Sequence, residues 1–132
     1  MEIHHIGYLT KDINASLSAF QDLGYESNDI LNDDIQQCKI CLLYHRVNND
    51  CIELVQPYET NTQMMKMLSK RGSSAYHICY EVEDVKKIFE EFCNKEGWMN
   101  IFKPVVAVAL GNRLITYFYN INLGFVEFVN KK

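Results

Sequence analysis

His5-Ile6-Gly7-Tyr8-Leu9-Thr10-Lys11-Asp12-Ile13 and His77-Ile78-Cys79-Tyr80-Glu81-Val82-Glu83-Asp84-Val85 are one pattern written twice, at an offset of 72 residues. His, Ile, Tyr and Asp coincide, and the last position is Ile in one copy and Val in the other. An internal repeat constrains architecture more than any single motif does. The match extends outward: Phe20 meets Phe92 at the same offset, and Gly24-Tyr25 meets Gly97-Trp98 one residue later. Cys51-Ile52-Glu53-Leu54-Val55-Gln56 then meets Phe125-Val126-Glu127-Phe128-Val129-Asn130 at an offset of 74. Changes of loop length account for a drift of two residues. Each half opens on a strand bearing a His and closes on a strand bearing a Glu, 48 residues apart in the first half and 50 in the second. Two such halves are expected to pack about a pseudo-two-fold axis, which brings equivalent residues together as in an isologous dimer.

Local patterning fills in the elements. Ile3 to Leu9 reads as a strand. Asp12 is an N-cap, and Ile13, Leu17 and Phe20 follow at helical spacing until Gly24. A strand is expected near Ser27 to Leu31, although that stretch is poor in apolar residues. Cys38 to Tyr44 and Cys51 to Gln56 are strands joined by the polar turn Asn48-Asn49-Asp50. A helix from Thr62 to Lys70, closed by Gly72, links the halves, with Met64, Met65, Met67 and Leu68 read as a core-facing surface. In the second half Tyr76 to Val82 is a strand, and Asp84 caps a helix with Val85, Ile88, Phe89 and Phe92 on one face. Pro104 to Leu110, Leu114 to Tyr119 and Phe125 to Asn130 are three further strands. The reading is α+β: one domain over residues 1–132, made of βαβββ modules over 1–60 and 74–132, with a helical linker over 61–73.

Strand alternation separates the side chains. Ile52 and Leu54 flank Glu53, and Val126 and Phe128 flank Glu127, so the apolar neighbours pack under the helices. His5, Glu53, His77 and Glu127 then face the concave side of a curved sheet. Two imidazoles and two carboxylates form an N2O2 set that suits Zn, Ni, Co or Mn, and Fe(II) by the same criterion. Two buried carboxylates facing each other repel, and a divalent cation removes that problem. A lone strand His or Glu is ordinarily a hydrogen-bonded or solvated residue; repetition at equivalent positions selects these four. His4 points to the other face and is matched by Tyr76, so it is left out. His45 precedes a polar turn and is expected in solvent. Glu2, Glu81 and Glu83 read as surface charges.

Bulk properties exclude several function classes. The net charge is −4 with Lys and Arg scattered, which argues against nucleic-acid binding. No targeting segment is expected ahead of Ile3. The longest uncharged run, Leu114 to Val126, is too short to span a bilayer, so no membrane partner is expected. Cys38, Cys41, Cys51, Cys79 and Cys93 are odd in number and read as reduced core or strand residues of a cytoplasmic protein. The CxxC of Cys38 and Cys41 lies in a strand, where residues three apart face opposite sides.

The runs HHIGYLTKDI, CIELVQP, SKRGSSAYHICYEVEDV and GNRLITYFYNINLGFVEFV resemble the vicinal oxygen chelate superfamily across nearly the whole chain. Its members include glyoxalase I, methylmalonyl-CoA epimerase, extradiol dioxygenases and drug-resistance proteins. The resemblance implies a cupped mixed sheet built by paired βαβββ modules around one divalent metal, with ligand positions falling on His5, Glu53, His77 and Glu127. The stretch from ELVQP to HICYEVEDV is most similar to methylmalonyl-CoA epimerases and glyoxalase-like proteins. It implies an isomerase or lyase that moves a proton next to a carbonyl through a metal-stabilised enediolate, with Glu127 or Glu53 as the base. Arg113, ahead of Arg71, is the candidate contact for an anionic group of a carbonyl or thioester substrate, although each Arg more ordinarily ends as a solvated charge. A homodimer is expected. The alternatives are an Fe(II) extradiol-type dioxygenase and a metal-anchored binding protein of the resistance type. Two departures bear on the substrate: Asn122-Leu123-Gly124 replaces an Asp-Pro-Asp-Gly type of turn, and Cys38 to Leu43 lacks the extra acidic residue of some epimerases.

Overall fold

A computed structural model describes the whole chain, residues 1–132. It divides into two compact units, His5–Ala75 and Tyr76–Lys132, with Met1–His4 counted in the second. The first unit runs β1 (Glu2–Leu9, from His5 on), α1 (Ile13–Asp22), β2 (Tyr25–Ser27), β3 (Leu31–Asp33), β4 (Cys38–His45), β5 (Cys51–Pro57) and α2 (Thr62–Arg71). The second runs β6 (Ser74–Val82, from Tyr76 on), α3 (Val85–Cys93), β7 (Trp98–Ala107), a 3-10 turn at Val108–Leu110, β8 (Arg113–Asn120) and β9 (Gly124–Asn130). In each unit the opening strand pairs in parallel with the closing one: β1 with β5, and β6 with β9. The intervening strands are antiparallel. The chain is α+β, with a mixed sheet and three helices.

Two strand expectations need correction. The region near Ser27 to Leu31 is not one strand: β2 and β3 flank residues 28–30, and both pair with β4. Ser27 faces Leu43 while Leu31 faces Ile40. Four steps on one side therefore match three on the other, which is a bulge at the strand-poor Asn28-Asp29. Pro104 to Leu110 is also not a strand as such. The strand starts earlier, at Trp98, and ends at Ala107, after which the chain turns into the 3-10 segment. Pro104 sits where the β7–β8 register shifts between Phe102 and Val105. A bulge on an outer strand is where a residue without an N–H is tolerated.

The duplication holds down to individual contacts. Asp12 and Asp84 cap α1 and α3 with nearly the same backbone, φ −144 ψ 102 and φ −148 ψ 103. Each side chain accepts from the N–H groups two and three residues on. The first helical N–H in each unit donates to an amide side chain on the closing strand: Ile13 to Gln56 Oε1 at 2.9 Å, and Val85 to Asn130 Oδ1 at 2.7 Å. Gln56→Ala and Asn130→Ala are each expected to destabilise the protein by about 1 kcal/mol, read from urea unfolding midpoints at constant slope.

The two cores correspond as well. Ile13, Leu43, Ile52 and Leu54 are buried in the first unit where Val85, Phe118, Val126 and Phe128 are buried in the second. Phe20 meets Tyr25 edge-on at 5.4 Å, and Phe92 meets Trp98 edge-on at 4.8 Å. The second core is the more aromatic, with Phe118 and Phe128 against Phe92. On α2, Leu68 is buried and Met64 and Met67 are half-buried, while Met65 faces out.

Candidate metal centre

Each unit brings together one His and one Glu from its two parallel strands. In the first, Gly7 of β1 is the register partner of Glu53 on β5, so His5 lies two residues before that partner. His5 Nε2 is 3.5 Å from Glu53 Oε1, with side chains 0% and 4% exposed. In the second, Cys79 of β6 is the partner of Glu127 on β9, and His77 again lies two residues before it. His77 Nε2 is 3.2 Å from Glu127 Oε1, with side chains 0% and 2% exposed. The same side-chain pair is thus built twice from the same register. Removing an ionised carboxylate from water is expensive unless a partner or a cation compensates it.

The two pairs differ in what stands across from the carboxylate. Leu42 of β4 is the register partner of Glu53, whereas Tyr117 of β8 is the partner of Glu127. The Tyr117 hydroxyl lies 3.3 Å from His77 Nε2, and the two rings meet edge-on at 5.2 Å. The Tyr76 ring meets His77 edge-on at 4.5 Å. One pair therefore carries a buried phenol and the other an apolar side chain. Sequence reasoning missed Tyr117. Strand alternation back across the Asn120–Gly124 turn from Glu127 was the available signal, since it places Tyr117 on the same face.

The other singled-out residues fall as follows. Arg113 is not a solvated charge; its guanidinium bonds to Leu110, Asn130, Glu81 and His4. Arg71 is exposed at the end of α2. Glu81 is half-buried beside Arg113, whereas Glu83 is a surface charge paired with Lys131 at 2.8 Å. His45, expected in solvent, is half-buried and engaged. Its Nε2 lies 3.0 Å from the Leu23 carbonyl, its Nδ1 accepts from the Val47 N–H, and its ring meets Tyr25 edge-on. It packs at the C-terminal end of α1.

The cysteines are all free thiols. Cys38, Cys41 and Cys79 are buried and Cys51 half-buried, but Cys93 is exposed at the end of α3, contrary to the expectation of core or strand placement. Burial pushes the Cys51 thiol up to about 12, outweighing a hydrogen bond with Tyr44 that acts the other way. A thiol that stays protonated at neutral pH is not a nucleophile.

A family profile described as the glyoxalase/bleomycin resistance protein/dioxygenase superfamily matches residues 4–117. This chain belongs to that superfamily. A search of curated proteins found no match. Among solved structures, methylmalonyl-CoA epimerase from Mycobacterium tuberculosis superposes on this superfamily member with a TM-score of 0.84 and 19% identity, covering 98% of this chain and 87% of that one. A methylmalonyl-CoA epimerase variant of Streptomyces coelicolor, in complex with 2-nitronate-propionyl-CoA, gives 0.84 and 19%, covering 99% and 94%. A hypothetical protein from Bacillus halodurans C-125 gives 0.82 and 22%, covering 99% and 94%. At these identities the superpositions speak for the glyoxalase/bleomycin resistance/dioxygenase fold. No helix of the chain is long and apolar enough to cross a membrane.

Proposed function

We propose that this superfamily member is a divalent-metal-dependent enzyme that moves a proton next to a carbonyl, of glyoxalase or methylmalonyl-CoA epimerase type. In this reading His5, Glu53, His77 and Glu127 hold one metal ion. The observation that carries it is the buried His–Glu pair built twice in the same register. Both carboxylates are buried, each beside an imidazole, and a divalent cation would offset the cost of keeping two such carboxylates out of water. Two imidazole nitrogens and two carboxylates fit Zn, Ni, Co or Mn.

The bound ion supplies Lewis acidity toward a substrate carbonyl, which makes the adjacent proton removable. The chain supplies the rest. Glu127 or Glu53 takes the proton and returns it. Tyr117 offers a phenolic hydroxyl beside His77, from the position that faces Glu127 across the strands. Leu42, facing Glu53, adds no second carboxylate from β4, so the base comes from the proposed ligand set itself. The substrate in this reading is a small carbonyl compound or thioester, in keeping with the coenzyme A ester bound by one structural relative. A cytoplasmic homodimer belongs to the same proposal.

The test has two steps. Metal content is measured on protein never exposed to chelator. The metal-loaded protein is then incubated in D2O with methylmalonyl-CoA and with the methylglyoxal–glutathione adduct. Near-stoichiometric metal and deuterium at the α-carbon are expected, with exchange abolished by chelation and restored by metal. Absence of metal sinks the site. Bound metal with no exchange on any thioester or hemithioacetal sinks the proton-transfer reading and favours a metal-anchored binding protein.

A further inference from the structure

We propose that Arg113 is a positioning residue for the metal centre, which holds His4 and, through the backbone, His5, rather than an anionic group of the substrate. The proposal rests on the reading of His5 as a ligand. The Arg113 side chain is only 12% exposed. Its Nε donates to the Leu110 carbonyl at 2.9 Å. One terminal nitrogen donates to the Asn130 carbonyl at 3.1 Å and to Glu81 Oε2 at 3.3 Å. The other lies 3.0 Å from His4 Nε2.

A guanidinium has donors and no acceptor. His4 Nε2 must therefore accept, which places the His4 proton on Nδ1 and sets the ring's orientation. His4 immediately precedes His5 on β1. Glu81 lies on β6, the strand that carries His77, and Asn130 lies on β9, the strand that carries Glu127. One side chain thus grips three strands, each of which bears a proposed ligand. Four of its five N–H donors are engaged within the protein, and the side chain is largely buried, which leaves little of it to present to a substrate anion. Residues that orient metal ligands change metal affinity by about 10- to 100-fold when removed.

Arg113→Met keeps the apolar stem and removes every donor. Long-range 15N NMR of the imidazoles in metal-free protein is expected to show His4 as the Nδ1–H tautomer. The His5 ring signals should then move in R113M. Zinc affinity, measured by competition with a chromophoric chelator, should weaken about tenfold. His4→Phe should reproduce that loss. His4→Gln keeps an amide oxygen to accept from Arg113 and should stay within about threefold of wild type. R113M and H4F combined should be no worse than either alone, because both remove one interaction. A merely structural role would lower thermal stability and leave the His5 signals and zinc affinity in place. A substrate-anion role would raise KM for a coenzyme A thioester with those same readouts unchanged. Either result overturns the proposal. If R113M does not fold, Arg113→Lys carries the same measurements. The NMR comparison needs no metal: a protein that binds no divalent metal sinks the function proposed above and the metal part of this inference, whereas unmoved His5 signals in R113M overturn the positioning role with the metal site intact.

Discussion

Glu127→Gln is expected to slow α-proton exchange by about two to four orders of magnitude while leaving the metal bound. Glutamine matches the shape of Glu127 and keeps one carbonyl oxygen. It cannot take up a proton at neutral pH. Glu127 is 1% exposed, so bulk water cannot stand in for the lost base. The fall should appear in kcat with KM nearly unchanged, because the interaction removed belongs to the transition state. Glu53→Gln is the companion measurement. The larger drop identifies the base, and the smaller one reports a carboxylate that serves only to bind. If both variants exchange within tenfold of wild type, neither carboxylate is the base and the proton-transfer mechanism fails.

His77→Ala is expected to weaken metal binding by at least about 100-fold. A structural four-ligand zinc site is worth roughly 10–16 kcal/mol. Spread over four ligands, that is about 3 kcal/mol each, or two orders of magnitude in affinity. Losing the ring also leaves the buried Glu127 without the imidazole at 3.2 Å. Thermal stability of the metal-free variant should therefore fall as well. His5→Ala should behave alike, since its pair with Glu53 is built the same way. His45→Ala is the control: its ring bonds to Leu23 and Val47, and metal affinity should not move. Metal affinity unchanged in H77A would remove His77 from the ligand set.

The elements that repeat were the ones easiest to read. Asp12 and Asp84 announce helix starts because a short acceptor side chain satisfies N–H groups that the helix leaves open. Gly24 and Gly97 carry the chain onward at φ 96 and 88, a backbone that side chains resist. The second strand of each half is the part that the sequence places poorly. Residues 27–31 and 104–110 both lie beside a register shift, and a bulge has no periodic signature because it is the loss of a period. Alternation also cannot say whether a strand is covered on one face or both. Residues 40–43 of β4 are buried on consecutive positions, so no polar alternation marks its faces.

The repeat that joins His5 to His77 and Glu53 to Glu127 is a property of the residue order alone. It needed no coordinates, because duplicated strands of the same alternation direct equivalent side chains to equivalent faces. What surrounds those four residues had no such signal. Tyr117 faces Glu127 and Leu42 faces Glu53 through strand register, and register depends on loop lengths and bulges that differ between the halves. Arg113 is 109 residues from His4 and is brought to it only by the fold. Charge on an isolated Arg says solvent, and only packing shows that four of its five donors are already engaged.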